Sequence, residues 1–239
     1  MGECERTHVP RLPIDIDRAR AQHAAYSAAL TEAGCRVIEV PPAPDLPDAV
    51  FIEDTAVVVA EVAVVTRPGA ASRRAEVAPV AEELARHRPL RHMQHPATLD
   101  GGDVLRIART LYVGTSGRTN DAGVSSLRDA VSPLDYRVVP VPLTGCLHLK
   151  TAVTLVAPDL LLVNPRWVDA DRFGLPRIET APDEPFAANA LLIGERVIHP
   201  SAFATTRHRL LAAGIEVLAI DVSELSKAEG GVTCCSILL

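Results

Sequence analysis

Short apolar segments with strand-like composition recur along the chain at intervals of roughly 40–55 residues, a spacing typical of repeat architectures. Four of the five segments are followed by the same sequel, in which a polar loop leads to an apolar strand, a tight turn, a second strand and a helical pattern. The fifth copy stops after its loop and first hairpin strand, over residues 232–239. The five segments are residues 36–40, 90–95, 136–141, 175–179 and 215–220.

The same pattern places the hairpins and helices. Residues 77–84 carry their apolar side chains on one helical face, and helices are also predicted over residues 202–213 and 15–33. The predicted hairpins pair residues 55–59 with 62–66, 103–107 with 110–113, 153–156 with 160–163, and 190–193 with 196–198. With the helix of residues 15–33 completing the fifth unit, the repeat predicts an α/β fold, a five-bladed pseudosymmetric propeller.

Composition narrows the class of protein. Hydrophobic residues make up 48% of the chain and charged residues 23%, and its 239 residues suit a single domain over positions 1–239. A net charge of −6 argues against a nucleic-acid partner, and no apolar run approaches the ~20 residues that span a bilayer. Five cysteines at irregular spacing favour free thiols in a reducing compartment, so we expect a cytoplasmic protein.

The last ten residues, which read GGVTCCSILL, give the first sign of chemistry. A glycine pair allows close backbone approach to a ligand, because neither residue has a Cβ. A thiolate is a strong nucleophile near neutral pH, so Cys234 is a candidate nucleophile. The alternative is that Cys234 and Cys235 are buried cysteines of a core strand.

The loop before each predicted hairpin occupies the same position in every unit, and such loops converge on the axis of a closed propeller. Carboxylates that lie close together are costly unless they face a cation or share protons, and guanidinium pairs well with carboxylates. We therefore expect a thiol, an imidazole and several carboxylates around a delocalised cation, although each acid alone could be a surface residue. The residues are Asp48, Glu53, Asp54, Asp100, Asp103, His148, segment 183–189 and Cys234.

Six motifs occur in a fixed order over nearly the whole chain. They are LPDAVFIED at 46–54, TRPGA with SRR at 66–74, TLDGGDV at 98–104, RTN at 118–120, LHLK at 147–150 and TCCS at 233–236. Together they resemble the dimethylargininase (dimethylarginine dimethylaminohydrolase) family. The resemblance implies the pentein fold, a five-fold pseudosymmetric propeller, in agreement with the repeat.

The resemblance also implies residue roles and a reaction. The implied roles are nucleophile for Cys234, general acid/base for His148, acids near the guanidinium for Asp100 and Asp54, other substrate-binding acids for Asp48 and Glu53, and carboxylate-holding arginines for Arg73 and Arg118. The implied reaction hydrolyses dimethylarginine to citrulline and dimethylamine through a thiouronium on cysteine. Methylated arginine is then the small-molecule partner, and no cofactor, metal, nucleic acid or membrane is required.

The two arginines also stand out by local rules. Ser72 predicts a helix N-cap that puts Arg73 in the first turn, and Asn120 predicts another just after Arg118. Positive charge there opposes the helix dipole at a cost of a few tenths to ~1 kcal/mol, but it makes an anion site suited to an α-carboxylate. The alternative is a pair of exposed arginines on solvated helix ends.

Two other functions stay open at this point: an arginine deiminase-like enzyme acting on unmethylated arginine, and a non-enzymatic pentein binding protein. The latter would have no need of Cys234, His148 and the acids. Family members begin with a further strand that this chain lacks, so the fifth blade is expected to lack one N-terminal strand. The exposed edge of strand 232–239 would then leave the protein poorly stable and weakly active alone, or would pair with another chain, as in a homodimer.

Overall fold

Four small sheets with one common topology organise the chain. In each sheet an antiparallel hairpin is joined by a third strand that runs parallel to the second hairpin strand. The strands are β1 (Ala56–Val58), β2 (Ala63–Val65), β3 (Leu90–His92), β4 (Val104–Ile107), β5 (Thr110–Thr115), β6 (Arg137–Pro142), β7 (Val153–Ala157), β8 (Leu160–Val163), β9 (Arg177–Glu179), β10 (Leu191–Ile193), β11 (Arg196–Pro200) and β12 (Glu216–Ile220). The four predicted hairpins and their parallel strands are thus confirmed, with small shifts at the ends.

The computed structural model describes all residues 1–239 and divides them into two compact units. The first unit comprises Met1–Glu39 and Thr151–Thr233, and the second comprises Val40–Lys150 and Cys234–Leu239. Sheets β7-β8-β9 and β10-β11-β12 belong to the first unit, and sheets β1-β2-β3 and β4-β5-β6 to the second.

Two of the six helices begin at an N-cap residue whose side chain accepts a backbone N–H. The helices are α1 (Ile16–Glu32), α2 (Val77–Leu84), α3 (Asp121–Val131), α4 (Leu149–Ala152), α5 (Ala204–Ala212) and α6 (Ser223–Lys227). The side chain of Asp15 accepts the N–H of Arg18 at the start of α1, and that of Asn120 accepts the N–H of Gly123 at the start of α3. No helix has the length and apolar character needed to cross a membrane.

Each unit has its own hydrophobic core. In the second unit Leu99, Leu111, Val113 and Leu127 are completely buried in one cluster. In the first unit a cluster around Leu162 and its neighbours is packed against strands and helix α5. Burial of one such aliphatic side chain contributes about 1.5–3 kcal/mol, so these cores fix the sheets from which the polar loops emerge.

Three local predictions are wrong. Residues 36–40 and 232–239 form no strand; residues 232–235 are a turn and residues 236–239 have no regular structure. A strand needs a partner for its backbone groups, and neither segment has a paired strand in the structure. Ser72 is not an N-cap: it lies inside a 3₁₀ segment, Ala71–Glu76, that begins after Ala70.

Candidate active site

Short 3₁₀ turns place acidic residues in front of the two hairpins of the second unit. The segment Ile52–Thr55 precedes β1 and buries the side chains of Glu53 and Asp54. The segment Gly101–Asp103 precedes β4, with Asp100 directly before it and Asp103 at its end. The loops before these hairpins therefore carry buried carboxylates. A polar loop sequence alone does not predict that its acidic side chains are buried.

His148 lies between two of these carboxylates. Its Nε2 is 3.0 Å from Oδ2 of Asp100, and its Nδ1 is 3.7 Å from Oδ1 of Asp54. All three side chains are buried, and Asp100 is completely so. The other oxygen of Asp100 accepts the backbone N–H of Gly69 at 2.9 Å, which fixes the carboxylate that contacts the imidazole.

The glycine at position 102 makes this approach possible. A Cβ on Gly102 would lie 2.6 Å from Nδ1 of His148 and 2.8 Å from Oδ1 of Asp54, closer than real Cβ atoms come. The N–H of Gly102 instead donates to Oδ1 of Asp54 at 2.9 Å. The Gly-Gly pair in the TLDGGDV motif thus serves close packing of His148 and Asp54.

Arg73 is buried beside the same acids. Its Nη1 donates to Oδ2 of Asp54 at 2.5 Å, and its Nε and Nη2 donate to Oε2 of Glu76 at 3.0 and 2.8 Å. A further bond from Nη2 reaches the carbonyl of Phe51 at 2.9 Å. The guanidinium of Arg73 therefore holds Asp54 in place in this structure, and it does not lie on a solvated helix end.

The pKa values of His148 and Asp54 are shifted in opposite directions by the charges around them. Burial would lower the pKa of His148, but the charges of Asp54, Asp100 and Asp103 and the bond to Asp100 outweigh it and raise the pKa to about 9. Burial would raise the pKa of Asp54, but the positive charges of His148 and Arg73 lower it to about 2. The resting site therefore holds an imidazolium beside an ionised Asp54 at neutral pH.

Cys234 and Cys235 have different surroundings at the end of the second unit. The carbonyl of Cys234 accepts the N–H of Glu53 at 3.1 Å, so this residue is attached to the turn that carries Asp54. Cys234 is partly exposed, whereas Cys235 is buried. Burial, followed by the negative charges of Cys234 and Glu53, raises the pKa of Cys235 well above its usual value. Of the two thiols, Cys234 is the better placed to react.

Lys150 was not singled out from the sequence, although it lies in the LHLK motif. Its Nζ is 2.5 Å from Oε1 of Glu53, and both side chains are largely buried. Glu76 was missed as well, since an acid three residues after an arginine is an ordinary helical pattern. The pairing of Lys150 with Glu53, and of Glu76 with Arg73, becomes visible only in the packed structure.

The remaining predicted residues are placed as follows. Asp48 is buried, and its carbonyl lies 3.4 Å from Nη2 of Arg73. Arg118 is partly exposed just before α3, where its backbone N–H donates to Oγ of Ser116. Segment 183–189 lies in the first unit.

Asp54, Asp100 and His148 could by composition hold a metal ion, since one ligand atom from each lies within 4.8 Å of the others. One observation opposes this. Arg73 already places a positive charge on Asp54. The residues therefore fit a proton-transfer cluster better than a metal centre.

Solved structures define the class of fold. A cysteine-to-serine variant of the dimethylarginine dimethylaminohydrolase (DDAH) from Pseudomonas aeruginosa, complexed with citrulline, has 31% sequence identity to this chain and a TM-score of 0.88. The match covers 93% of this chain and 88% of that one. A histidine-to-glycine dimethylarginine dimethylaminohydrolase, as an adduct with S-methyl-L-thiocitrulline, is 31% identical with a TM-score of 0.92, over 97% and 92% of the two chains. The α/β fold is that of the pentein enzymes.

Sequence comparison specifies the family within that class. Residues 11–173 match the model of the family described as N,N dimethylarginine dimethylhydrolase, eukaryotic. The N(G),N(G)-dimethylarginine dimethylaminohydrolase of Streptomyces coelicolor is 44% identical over 234 residues, which are 98% of this chain and 90% of the relative. The chain belongs to the dimethylarginine dimethylaminohydrolase family.

Proposed function

We propose that this protein is an amidinohydrolase that converts dimethylarginine and water to citrulline and dimethylamine. The observation that carries the proposal is the position of the buried His148 between Asp100 and Asp54. Cys234 is attached to the turn that carries Asp54, because its carbonyl accepts the N–H of Glu53. The family supplies the reaction: one solved relative binds citrulline, and another forms an adduct with S-methyl-L-thiocitrulline.

Charge favours a cationic substrate. The buried carboxyl groups of the second unit outnumber the cations Arg73 and His148, even when the largely buried Lys150 is counted with them. A planar guanidinium would complement the excess negative charge through paired hydrogen bonds. We assign Asp54, Asp48 and Glu53 to the binding of this group, with Asp54 held in position by Arg73.

The covalent step begins with attack of the Cys234 thiolate on the central guanidinium carbon, which forms a C–S bond and a tetrahedral adduct. His148, already an imidazolium, donates its proton to the departing dimethylamine as the C–N bond breaks. The product of this step is a thiouronium on Cys234. Asp100 stabilises the imidazolium and keeps its ring oriented through the 3.0 Å contact to Nε2.

Hydrolysis reverses the role of the imidazole. Neutral His148 takes one proton from water as the oxygen attacks the thiouronium carbon. The remaining O–H proton of the adduct leaves to solvent as the C=O bond forms and the C–S bond breaks, which releases citrulline. The thiolate of Cys234 is thereby regenerated, and no cofactor or metal takes part.

We propose Arg118, which stands before α3, for the carboxylate of the substrate. The family resemblance assigns Arg73 to the same carboxylate. For Arg73 to reach it, the guanidinium would have to exchange its bonds to Asp54, Glu76 and the carbonyl of Phe51. Arg118 is partly exposed, whereas Arg73 is buried, so we expect Arg118 to contribute more to carboxylate binding.

The wider proposals concern the whole molecule. We propose that residues 1–239 act as one catalytic domain and that the four observed sheets belong to a five-bladed pentein propeller. The repeat of hairpin, parallel strand and helix supports this arrangement. A cytoplasmic location is supported by five cysteines that no disulfide joins, two of them adjacent. We also propose a homodimer as the assembly, although the strand edge over residues 232–239 from which it was predicted does not form.

The test measures citrulline formation in parallel from dimethylarginine, monomethylarginine and arginine. For agmatine, the decarboxylated analogue, it measures formation of the corresponding ureido product. We expect the methylated arginines to be turned over fastest. In Arg118→Ala the KM for carboxylate-bearing substrates should rise about tenfold or more, while that for agmatine stays the same. Preference for unmethylated arginine would contradict the proposed substrate, and equal losses for agmatine would contradict the role of Arg118.

A further inference from the structure

Asp103 is a completely buried carboxylate that the proposed chemistry does not use. Its Oδ1 accepts the backbone N–H of Leu149 at 3.0 Å. Its Oδ2 accepts the hydroxyls of Ser116 at 2.6 Å and Thr119 at 2.7 Å. All three of these groups donate to Asp103, which is the pattern of an anion that binds several chain segments at once.

The first of these bonds leads to the proposed acid/base. Leu149 follows His148 directly, so the bond to its N–H fixes the backbone that carries the imidazole. Gly114 leaves room for this arrangement, because a Cβ there would lie 2.7 Å from Oδ1 of Asp103 and 3.0 Å from Cβ of Leu149. A displaced Leu149 would move the imidazole relative to Asp100.

The hydroxyl bonds lead to the proposed substrate-binding loop. Oγ of Ser116 accepts the N–H groups of Arg118 at 3.0 Å and Thr119 at 3.3 Å. Oγ1 of Thr119 accepts the N–H of Asp100 at 3.3 Å while it donates to Asp103. The loop with Arg118 and the residue that contacts His148 are therefore both bonded to groups that Asp103 orders.

We propose that Asp103 is a positioning residue that aligns His148 with the Arg118 loop through Leu149, Ser116 and Thr119. This inference rests on the proposed function, and it identifies the residue that holds the acid/base side and the carboxylate-binding side of the site in a fixed relative position. Catalysis needs both sides, because the carboxylate end of the substrate must be fixed while its guanidinium carbon lies at the nucleophile. A misplacement of about 1 Å can cost roughly 10²-fold in rate.

A carboxylate is required at this position, and an amide would not replace it. The amide nitrogen of an Asp103→Asn variant would face Oγ of Ser116, which already accepts two backbone N–H groups. It would also face Oγ1 of Thr119, which accepts the N–H of Asp100. If the amide is turned the other way, its nitrogen meets the N–H of Leu149 instead, so a donor meets a donor in either orientation and the network would open.

The experiment compares threonines with matched surroundings. Thr119 and Thr154 are both 3% exposed. Thr154 donates to the carbonyl of Ala188 at 2.7 Å and accepts the N–H of Ala190 at 3.3 Å, in the first unit. Thr119→Val and Thr154→Val therefore each remove one donated and one accepted bond at equal burial. Thermal unfolding and steady-state kinetics with dimethylarginine are measured for both, with Thr119→Ser as the conservative variant.

We expect similar losses of Tm in the two valine variants. Only Thr119→Val should lower kcat about tenfold or more and also raise KM, and Thr119→Ser should restore both values. Ser116→Ala, which is part-buried and therefore milder for folding, should raise KM for dimethylarginine more than it lowers kcat, because Ser116 bonds the Arg118 side of the network. Asp103→Asn should lose roughly 10²-fold in kcat/KM.

The two proposals fail differently. Wild-type protein that forms no citrulline would contradict the proposed function. Active wild type whose Thr119→Val and Ser116→Ala variants keep the kcat and KM of Thr154→Val would overturn the role of Asp103. Thr119→Ser that fails to recover activity would overturn it too, because the hydroxyl is the group that the network uses.

Discussion

The two units share their sheet topology but use their polar loops in opposite ways. In the first unit, Glu184 lies in the loop before β10 and accepts the backbone N–H groups of Thr205 and Thr206 at 2.9 and 2.7 Å. Asn189 in the same loop donates to Thr233 at 3.0 Å. In the second unit the loops before β1 and β4 direct buried carboxylates at Arg73 and His148. The same scaffold thus supports helix capping in one unit and a charged site in the other.

Two buried histidines show the physical difference. His199 in β11 contacts the carbonyl of Ala187 at 2.9 Å, and burial lowers its pKa. His148 is as deeply buried, yet the carboxylates around it raise its pKa to about 9. Burial alone therefore makes a neutral structural histidine, and carboxylate neighbours convert the same side chain to an imidazolium that can donate a proton.

The largest effect on turnover is expected from variants that remove the imidazole of His148 or of His199, one at a time. His148→Gly should slow turnover of dimethylarginine by about 10²–10⁴-fold, because a general acid/base group typically contributes that much. His199→Gly should lower the thermal stability while the rate per folded molecule stays near that of wild type. The check is kcat corrected for the folded fraction. Equal rate losses in the two variants would mean that His148 acts through packing.

The two histidines should also give stability opposite dependences on pH. The folded-state pKa of His148 lies above its usual 6.5, so its contribution is fully present below 6.5 and is lost as the pH rises through about 9. The pKa of His199 is lowered, so its contribution is present above 6.5 and is lost as the pH falls through the folded value.

Denaturant unfolding at several pH values measures this difference. Between about pH 7 and pH 10 the free energy of unfolding of wild type should fall by on the order of 2–3 kcal/mol more than that of His148→Gly. His199→Gly should keep the alkaline loss of wild type. Parallel curves for wild type and His148→Gly would show that the carboxylates do not stabilise an imidazolium.

The smallest effect is expected in the first unit. Glu184→Ala removes the acceptor of two backbone N–H groups at the start of α5, which should cost about 1 kcal/mol of unfolding free energy. Citrulline formation should not change, because this carboxylate caps a helix. A large loss of activity at unchanged stability would place the carboxylate in the chemistry and erase the contrast between the units.

Local signals made much of the fold predictable. The helix predicted over residues 15–33 is observed as Ile16–Glu32, with Asp15 as its N-cap, because the capping residue precedes the helical pattern directly. Strands 36–40 and 232–239 were predicted from the same kind of apolar pattern and do not form. Pairing depends on a partner strand elsewhere in the chain, which a local pattern cannot report.

The candidate site, like the fold, was predictable from the sequence only in part. Repeat positions and motifs identified Asp54, Asp100 and His148, which the structure brings together. They did not reveal that Arg73 is buried against Asp54, nor that Lys150 pairs with Glu53. Such partners depend on which side chains meet after packing, and from the sequence Arg73 was assigned to a substrate carboxylate, with an exposed helix end as the alternative.

The most direct test of the account replaces the two neighbouring thiols separately. Cys234 is partly exposed and bonded to the Glu53 turn, whereas the buried thiol of Cys235 has its pKa raised well above the usual value. The measurement is citrulline formation from dimethylarginine by Cys234→Ser and Cys235→Ser at equal folded concentration. Cys234→Ser should abolish turnover while Cys235→Ser keeps a substantial fraction. Comparable losses, or loss only in Cys235→Ser, would contradict the assignment of Cys234 as the nucleophile.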